Sequence, residues 1–171
     1  MYMKIDIGCG NVCKAGFVGI DYAKYNSDVK YVVNLNKSKL PFKDNSIDEA
    51  YCSHVLEHLD NPMEMVSEVH RVLKKGSKFI IKVPYFANTA SHKPNHKNYW
   101  NLGCIDYFNG DYHEAYPKWS KVNFGHRWVQ GLIYKPFEII FDFLIKLSPI
   151  TYEKRFAYLF PFFELIIELE K

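Results

Sequence analysis

Up to about Pro84 the chain alternates short apolar, β-branched runs with segments of helical or loop character. Met3 to Ile7 has the length and composition of a buried strand, and it runs directly into Gly8-Cys9-Gly10, a glycine pair that marks a tight turn. A second run, Phe17 to Asp21, ends in an acid. Val29 to Val33 and Ile47 to Cys52 predict a third and a fourth strand. Met63, Val66, Val69 and Leu73 recur at helical spacing, with Asn61 as cap and Pro62 in the first turn, which predicts a helix over 62–73. Lys74-Lys75-Gly76 closes it with positive charge and a glycine. Lys78 to Val83 reads as a fifth strand, stopped by Pro84. Beyond it regularity weakens: Val122 to Val129 predicts a sixth strand, Phe137 to Leu147 an amphipathic helix, and Phe163 to Leu169 a final buried strand. Alternation of this kind implies an α/β fold with a mostly parallel sheet and helices on its faces.

At 171 residues and 48% apolar, the chain is expected to form a single domain, 1–171, with a real core. Its 22 basic and 19 acidic side chains nearly balance and form no block of like charge, which argues against a nucleic-acid partner. Cys9, Cys13, Cys52 and Cys104 show no CxxC spacing, so they read as free thiols of a cytoplasmic protein rather than as a zinc site. The first residues carry no signal-peptide pattern. The apolar stretches 137–147 and 156–169 carry charges and fall short of the roughly 20 residues of a spanning helix. No stable membrane insertion is expected.

The candidate chemistry lies at the strand ends. Gly8 and Gly10 let the backbone bend and a ligand approach it closely. Asp21, at the carboxyl end of the second strand, is placed to accept hydrogen bonds from ribose hydroxyls. Asn34, after the third strand, offers an acceptor to an adenine amino group. These positions point to an adenosine-type ligand. A dinucleotide fold shares the sheet and the acid, but Cys13 stands where its third glycine belongs, and the ten residues between Gly10 and Asp21 leave little room for the helix that would cradle a pyrophosphate.

Five segments in order, DIGCG at 6–10, GID at 19–21, LPFKDNSID at 40–48, VLEHL at 55–59 and RVLKKGS at 71–77, carry a resemblance to the class I S-adenosylmethionine-dependent methyltransferases. The chain is most similar to the type 11 methyltransferase domain and the quinone-biosynthesis C-methyltransferases, over about residues 4–84. The resemblance implies a Rossmann-like, mostly parallel seven-stranded sheet with helices on both faces. Residues 1–84 would be the cofactor half, and residues 85–171 an acceptor cap with the final strands. It implies that Asp6 orients the glycine loop or meets the methionine amino group, that Gly8, Cys9 and Gly10 pass close to S-adenosylmethionine, and that Asp21 holds the ribose. Tyr22, Asn34 and Leu35 would meet the adenine, Ser53 and His54 the methionine part, and Glu57 and His58 the mouth where the methyl group points. The sequence departs from the pattern in a shortened first helix, a start at the first strand without the usual N-terminal helix, Asn34 in place of Asp, and Ser77 in place of Gly.

The implied reaction is in-line methyl transfer, where alignment of nucleophile, methyl and sulfur is the protein's main contribution. Of seven histidines, His58, His92, His96, His113 and His126 fall on segments expected at the carboxyl edge of the sheet, and His70 on a helix surface. His58 and His92 are the candidate general bases. A metal on His92, His96 and His113 is not expected, because Pro94 opposes the helix that would align the first two. Tyr85, Phe86, Tyr99, Trp100, Tyr107, Phe108, Tyr112 and Trp119 either line an apolar acceptor pocket or pack a cap on the sheet. The expected function is methyl transfer to a small-molecule acceptor. The alternative is a non-catalytic subunit of the same fold, and a homodimer or a partner chain is possible in either case.

Overall fold

In the computed structural model, residues 2–37, 39–109, 116–128 and 135–171 are described. Seven strands form one sheet: β1 (Lys4–Ile7), β2 (Val18–Asp21), β3 (Val29–Val32), β4 (Ile47–Ser53), β5 (Leu73–Pro84), β6 (Lys121–Trp128) and β7 (Phe162–Glu170). Their order is β3-β2-β1-β4-β5-β7-β6, and β7 alone runs antiparallel to its neighbours. The expected strands are all present within a few residues; Val129, Tyr112 and His113 lie outside the described residues. Among the described residues four α-helices accompany them: α1 (Pro62–Val72), α2 (Cys104–Asn109), α3 (Lys135–Leu147) and α4 (Pro149–Arg155).

Strand side chains alternate between faces, and here the two faces differ in kind. One carries Ile5, Ile7, Ala50, Cys52, Phe79, Ile81, Val83, Leu165, Ile167 and Leu169, all fully buried. Met65, Val66, Val69 and Val72 of α1, Phe108 of α2, and Phe141 and Tyr152 of α3 and α4 join the same core. The other face carries Lys4, Asp6, Glu49, Tyr51, Ser53, Lys78, Ile80 and Lys82, followed on β7 by Glu164, Ile166, Glu168 and Glu170. Cross-strand ion pairs cover it: Lys4–Glu49 at 2.5 Å, Lys78–Glu168 at 2.8 Å, Lys121–Glu170 at 3.0 Å and Arg127–Glu164 at 3.1 Å. Among the described residues no helix packs on this face, so the expected helices on both faces are found on one. The connections 8–17 and 22–28 hold no helix, being shorter than the dozen or so residues of an ordinary helical crossover.

The end of α1 explains why distant segments of the sequence travel together. Arg71 donates to the carbonyls of Phe42 (3.0 Å) and Leu40 (3.3 Å), while the Glu68 carboxylate accepts from Leu40 N–H (2.8 Å). The 40–48 segment is thus clasped to the helix that precedes β5. Asn61 caps α1 reciprocally, accepting from Glu64 N–H and donating its amide to the Glu64 carboxylate at 2.8 Å. The helix ends one residue earlier than its spacing predicts, because Leu73 is already extended and pairs with Ile47. The strand then bulges around Gly76 (φ +78°) before regular pairing resumes at Lys78. Short α4 was not foreseen, although Ser148 caps it and Pro149 opens it, a recognisable start signal.

Candidate functional site

The turn after β1 is built from two left-handed glycines, Gly8 (φ +70°) and Gly10 (φ +58°). Gly8 N–H donates to the Ile20 carbonyl at 2.7 Å, pinning the turn against the end of β2. Asp21 completes the junction: one carboxylate oxygen accepts from Gly10 N–H at 2.8 Å, the other from Tyr22 N–H at 2.7 Å. The side chain is buried, yet each oxygen keeps a further lone pair toward a crevice of about 660 Å³. Gly8, Gly10, Asp21, Tyr22, Asn34, Leu35, His54 and His58 all line that crevice. Four strand ends therefore bring most of the sequence candidates to one place. Tyr25, Asn11 and Asn95, which sequence reasoning did not single out, line it as well. Tyr22 stands exposed against Tyr25, ring centroids 5.7 Å apart. The Asn34 amide oxygen already accepts from Asn36 N–H at 3.0 Å.

Asp6, Cys9 and Ser53 lie elsewhere. They line a second crevice of about 590 Å³ on the polar sheet face, and Gly8 borders both. Asp6 accepts from Lys14 N–H at 2.7 Å, which fixes the loop beyond the glycines; burial pushes its carboxyl up from the ordinary value. Lys14 lays its ammonium over the Tyr51 ring, 4.1 Å from the centroid, as part of the floor.

His54 follows β4 with φ +56°, unusual for a residue with a side chain. Its ring bridges two buried carboxylates, Nδ1 to Glu57 at 3.3 Å and Nε2 to Glu164 at 3.2 Å. Glu164 also meets Arg127 at 3.1 Å and Lys82 at 3.8 Å. The Glu57 hydrogen bond, above all, raises the His54 pKa. With both nitrogens engaged by carboxylates, His54 serves as a cationic strut rather than a base. Its contribution to stability is fully present below about pH 6.5, the ordinary value of the group, and is lost as pH rises through the higher folded-state value. Urea unfolding of wild type and His54→Asn, a residue that tolerates this backbone, should show a stability gap that is largest at acid pH and narrows on the alkaline side. A gap independent of pH would remove the strut.

His58 is the candidate base that reaches the crevice. Its Nδ1 lies 3.0 Å from the Asn95 carbonyl, an acceptor only, so in the neutral ring the proton sits on Nδ1 and the lone pair on Nε2. His92 is exposed at the end of a 3-10 turn, its ring against Tyr99, and does not line the crevice. His126 stacks on Phe162 and bonds Asp142 at 2.8 Å. His70 is half-buried against Trp119 rather than free on the surface, and burial lowers its pKa. Of the aromatic segment, Tyr85, Trp100, Phe108 and Trp119 are core residues; Tyr99 and Tyr107 border a groove of about 290 Å³ beside Met63. No described helix is long and apolar enough to cross a membrane.

Residues 5–81 match the family model of a methyltransferase domain. The chain is 33% identical over 88 residues to an uncharacterized protein of Methanocaldococcus jannaschii, covering 47% of this chain and 43% of that one. It is 33% identical over 84 residues to a sterol 4-C-methyltransferase of Caenorhabditis elegans, covering 49% and 25% respectively. These matches thus span less than half the length of either relative. In fold the chain resembles a SAM-dependent methyltransferase from Archaeoglobus fulgidus, with a TM-score of 0.67 at 19% identity over 99% of this chain and 86% of the other.

Proposed function

We propose that this chain is a class I S-adenosylmethionine-dependent methyltransferase, a reading supported by its fold and its matched residues 5–81, that binds S-adenosylmethionine in the crevice at the ends of β1, β2, β3 and β4 and methylates a small-molecule acceptor at its rim. The observation that carries this reading is the meeting of Gly8, Gly10, Asp21, Asn34, Leu35 and His54 around one cavity. The residues fit the group. The glycine turn brings main chain to the crevice wall, and among the described residues no atom lies within 4 Å of where a Cβ would stand at Gly10. Asp21 offers its remaining lone pairs to the ribose hydroxyls, and Tyr22, Asn34 and Leu35 border the place of the adenine. Gly8, shared by the two crevices, leads from the nucleoside side toward Asp6 and Ser53, where the amino-acid part would lie.

When bound, S-adenosylmethionine supplies an electrophilic methyl group on a sulfonium centre. The chain contributes alignment, and His58 Nε2 accepts the proton of an acidic acceptor. The four free cysteines fit a reducing, cytoplasmic setting.

Isothermal titration with S-adenosylhomocysteine, paired with a thermal-shift series, tests the reading. Binding with a concentration-dependent rise in melting temperature is expected. No heat at millimolar ligand would refute it. Binding without turnover on any small acceptor would make the chain a non-catalytic subunit instead.

A further inference from the structure

We infer that Glu57, His58 and His96 form a binding site for a divalent transition cation of the zinc type at the rim of the crevice. The three side chains each place one ligating atom within 4.8 Å of the others. Glu57 is almost wholly buried, and its Oε2 has no hydrogen-bond partner among the described residues, while Oε1 is held by His54. A shielded carboxylate oxygen without a partner is costly, and a cation would satisfy it. Both histidines are set for ligation. His58 Nδ1 meets the Asn95 carbonyl at 3.0 Å and His96 Nδ1 the Ser91 carbonyl at 3.0 Å, so in the neutral rings Nδ1 donates and Nε2 is the atom that would ligate. This is the outer-sphere arrangement that fixes the tautomer of metal-bound imidazoles.

The loop that carries His96 is tied to the turn that carries the other two ligands. Lys97 N–H donates to the Glu57 carbonyl at 2.7 Å, and the Asn98 amide to the Leu59 carbonyl at 2.6 Å. The rings stand edge to face, centroids 4.7 Å apart. Two imidazoles and one carboxylate suit zinc or cobalt better than magnesium, which prefers an all-oxygen shell. Three protein ligands leave coordination positions open, as in catalytic rather than structural sites. Because His58 lines the crevice, those positions face the place where an acceptor would stand. With Nε2 taken up by the cation His58 would no longer serve as base, and a hydroxyl or amine bound to the ion would instead lose its proton more readily to solvent. Cation binding itself does not rest on the proposed methyl transfer.

The full chain, titrated with Co²⁺ without any nucleoside ligand, should develop the visible d–d bands of a low-coordinate nitrogen–oxygen site, with one equivalent bound. Zn²⁺ should displace it and Mg²⁺ should not. His96→Gln, His96→Ala and Glu57→Gln should each weaken binding at least about tenfold while far-ultraviolet circular dichroism stays native; of these, Gln at 96 preserves a donor for the Ser91 carbonyl. Absence of the bands in the wild type would overturn the site. So would unchanged affinity in the natively folded His58→Gln/His96→Gln double variant, or thiolate charge-transfer bands that assign the ion to cysteines.

Discussion

Gly8→Ala should destabilise the chain by roughly 2–4 kcal/mol and close the crevice to its ligand. A Cβ added at Gly8 would stand 2.2 Å from Val55 Cγ2 and 2.9 Å from Cγ1. Val55 is β-branched and stiff at χ1, and it packs against the core, so it has little freedom to withdraw. The backbone adds a further penalty at φ +70°. The turn has no easy alternative, because Gly8 N–H is held by the Ile20 carbonyl. Gly10→Ala is the control: it sits at φ +58° with open space around its Cβ, and should cost only about 1 kcal/mol of backbone strain. Urea midpoints of Gly8→Ala, Val55→Ala and the double variant would separate the clash from the strain, with a favourable coupling expected between the two sites. Equal losses at Gly8 and Gly10 would show that Val55 is not the obstacle.

Asp21→Ala should weaken S-adenosylhomocysteine binding by about 1.5–3 kcal/mol, roughly tenfold to more than a hundredfold. The substitution acts twice. It removes the carboxylate proposed to receive the ribose hydroxyls, and it releases the Gly10 and Tyr22 amides that this carboxylate holds at 2.8 and 2.7 Å. Asp21→Asn keeps one acceptor oxygen and should fall between wild type and alanine. Isothermal titration ranks the three. Identical affinity across the series would remove Asp21 from the ligand site and leave it a clamp of the glycine turn.

The parts of this site that sequence reveals are those whose physics is local. Strand runs that end in glycine or acid, a capped helix at Asn61 and a connection too short for a helix between Gly10 and Asp21 all announce themselves within a dozen residues. What stays hidden depends on strand order. Glu164 reaches His54 across 110 residues only because β7 inserts beside β5. The choice between His58 and His92 rests on loop geometry that carries no periodic signal. Pro94 argues correctly against a helix joining His92 to His96, but a loop brings His96 to His58 instead. The aromatic segment reads as either pocket or packing, and burial divides it: Tyr85 and Trp100 go inward, Tyr99 outward.

The ion-paired sheet face has a bearing on how the molecule behaves in bulk. Tyr51, Ile80 and Ile166 sit among the lysines and glutamates of that plane, kept wet by the charges around them. Concentrated electrolyte screens the pairs and weakens the charged cover of a face over which, among the described residues, no helix lies. Under those conditions molecules would stack face to face, so turbidity should develop while the strands themselves remain folded.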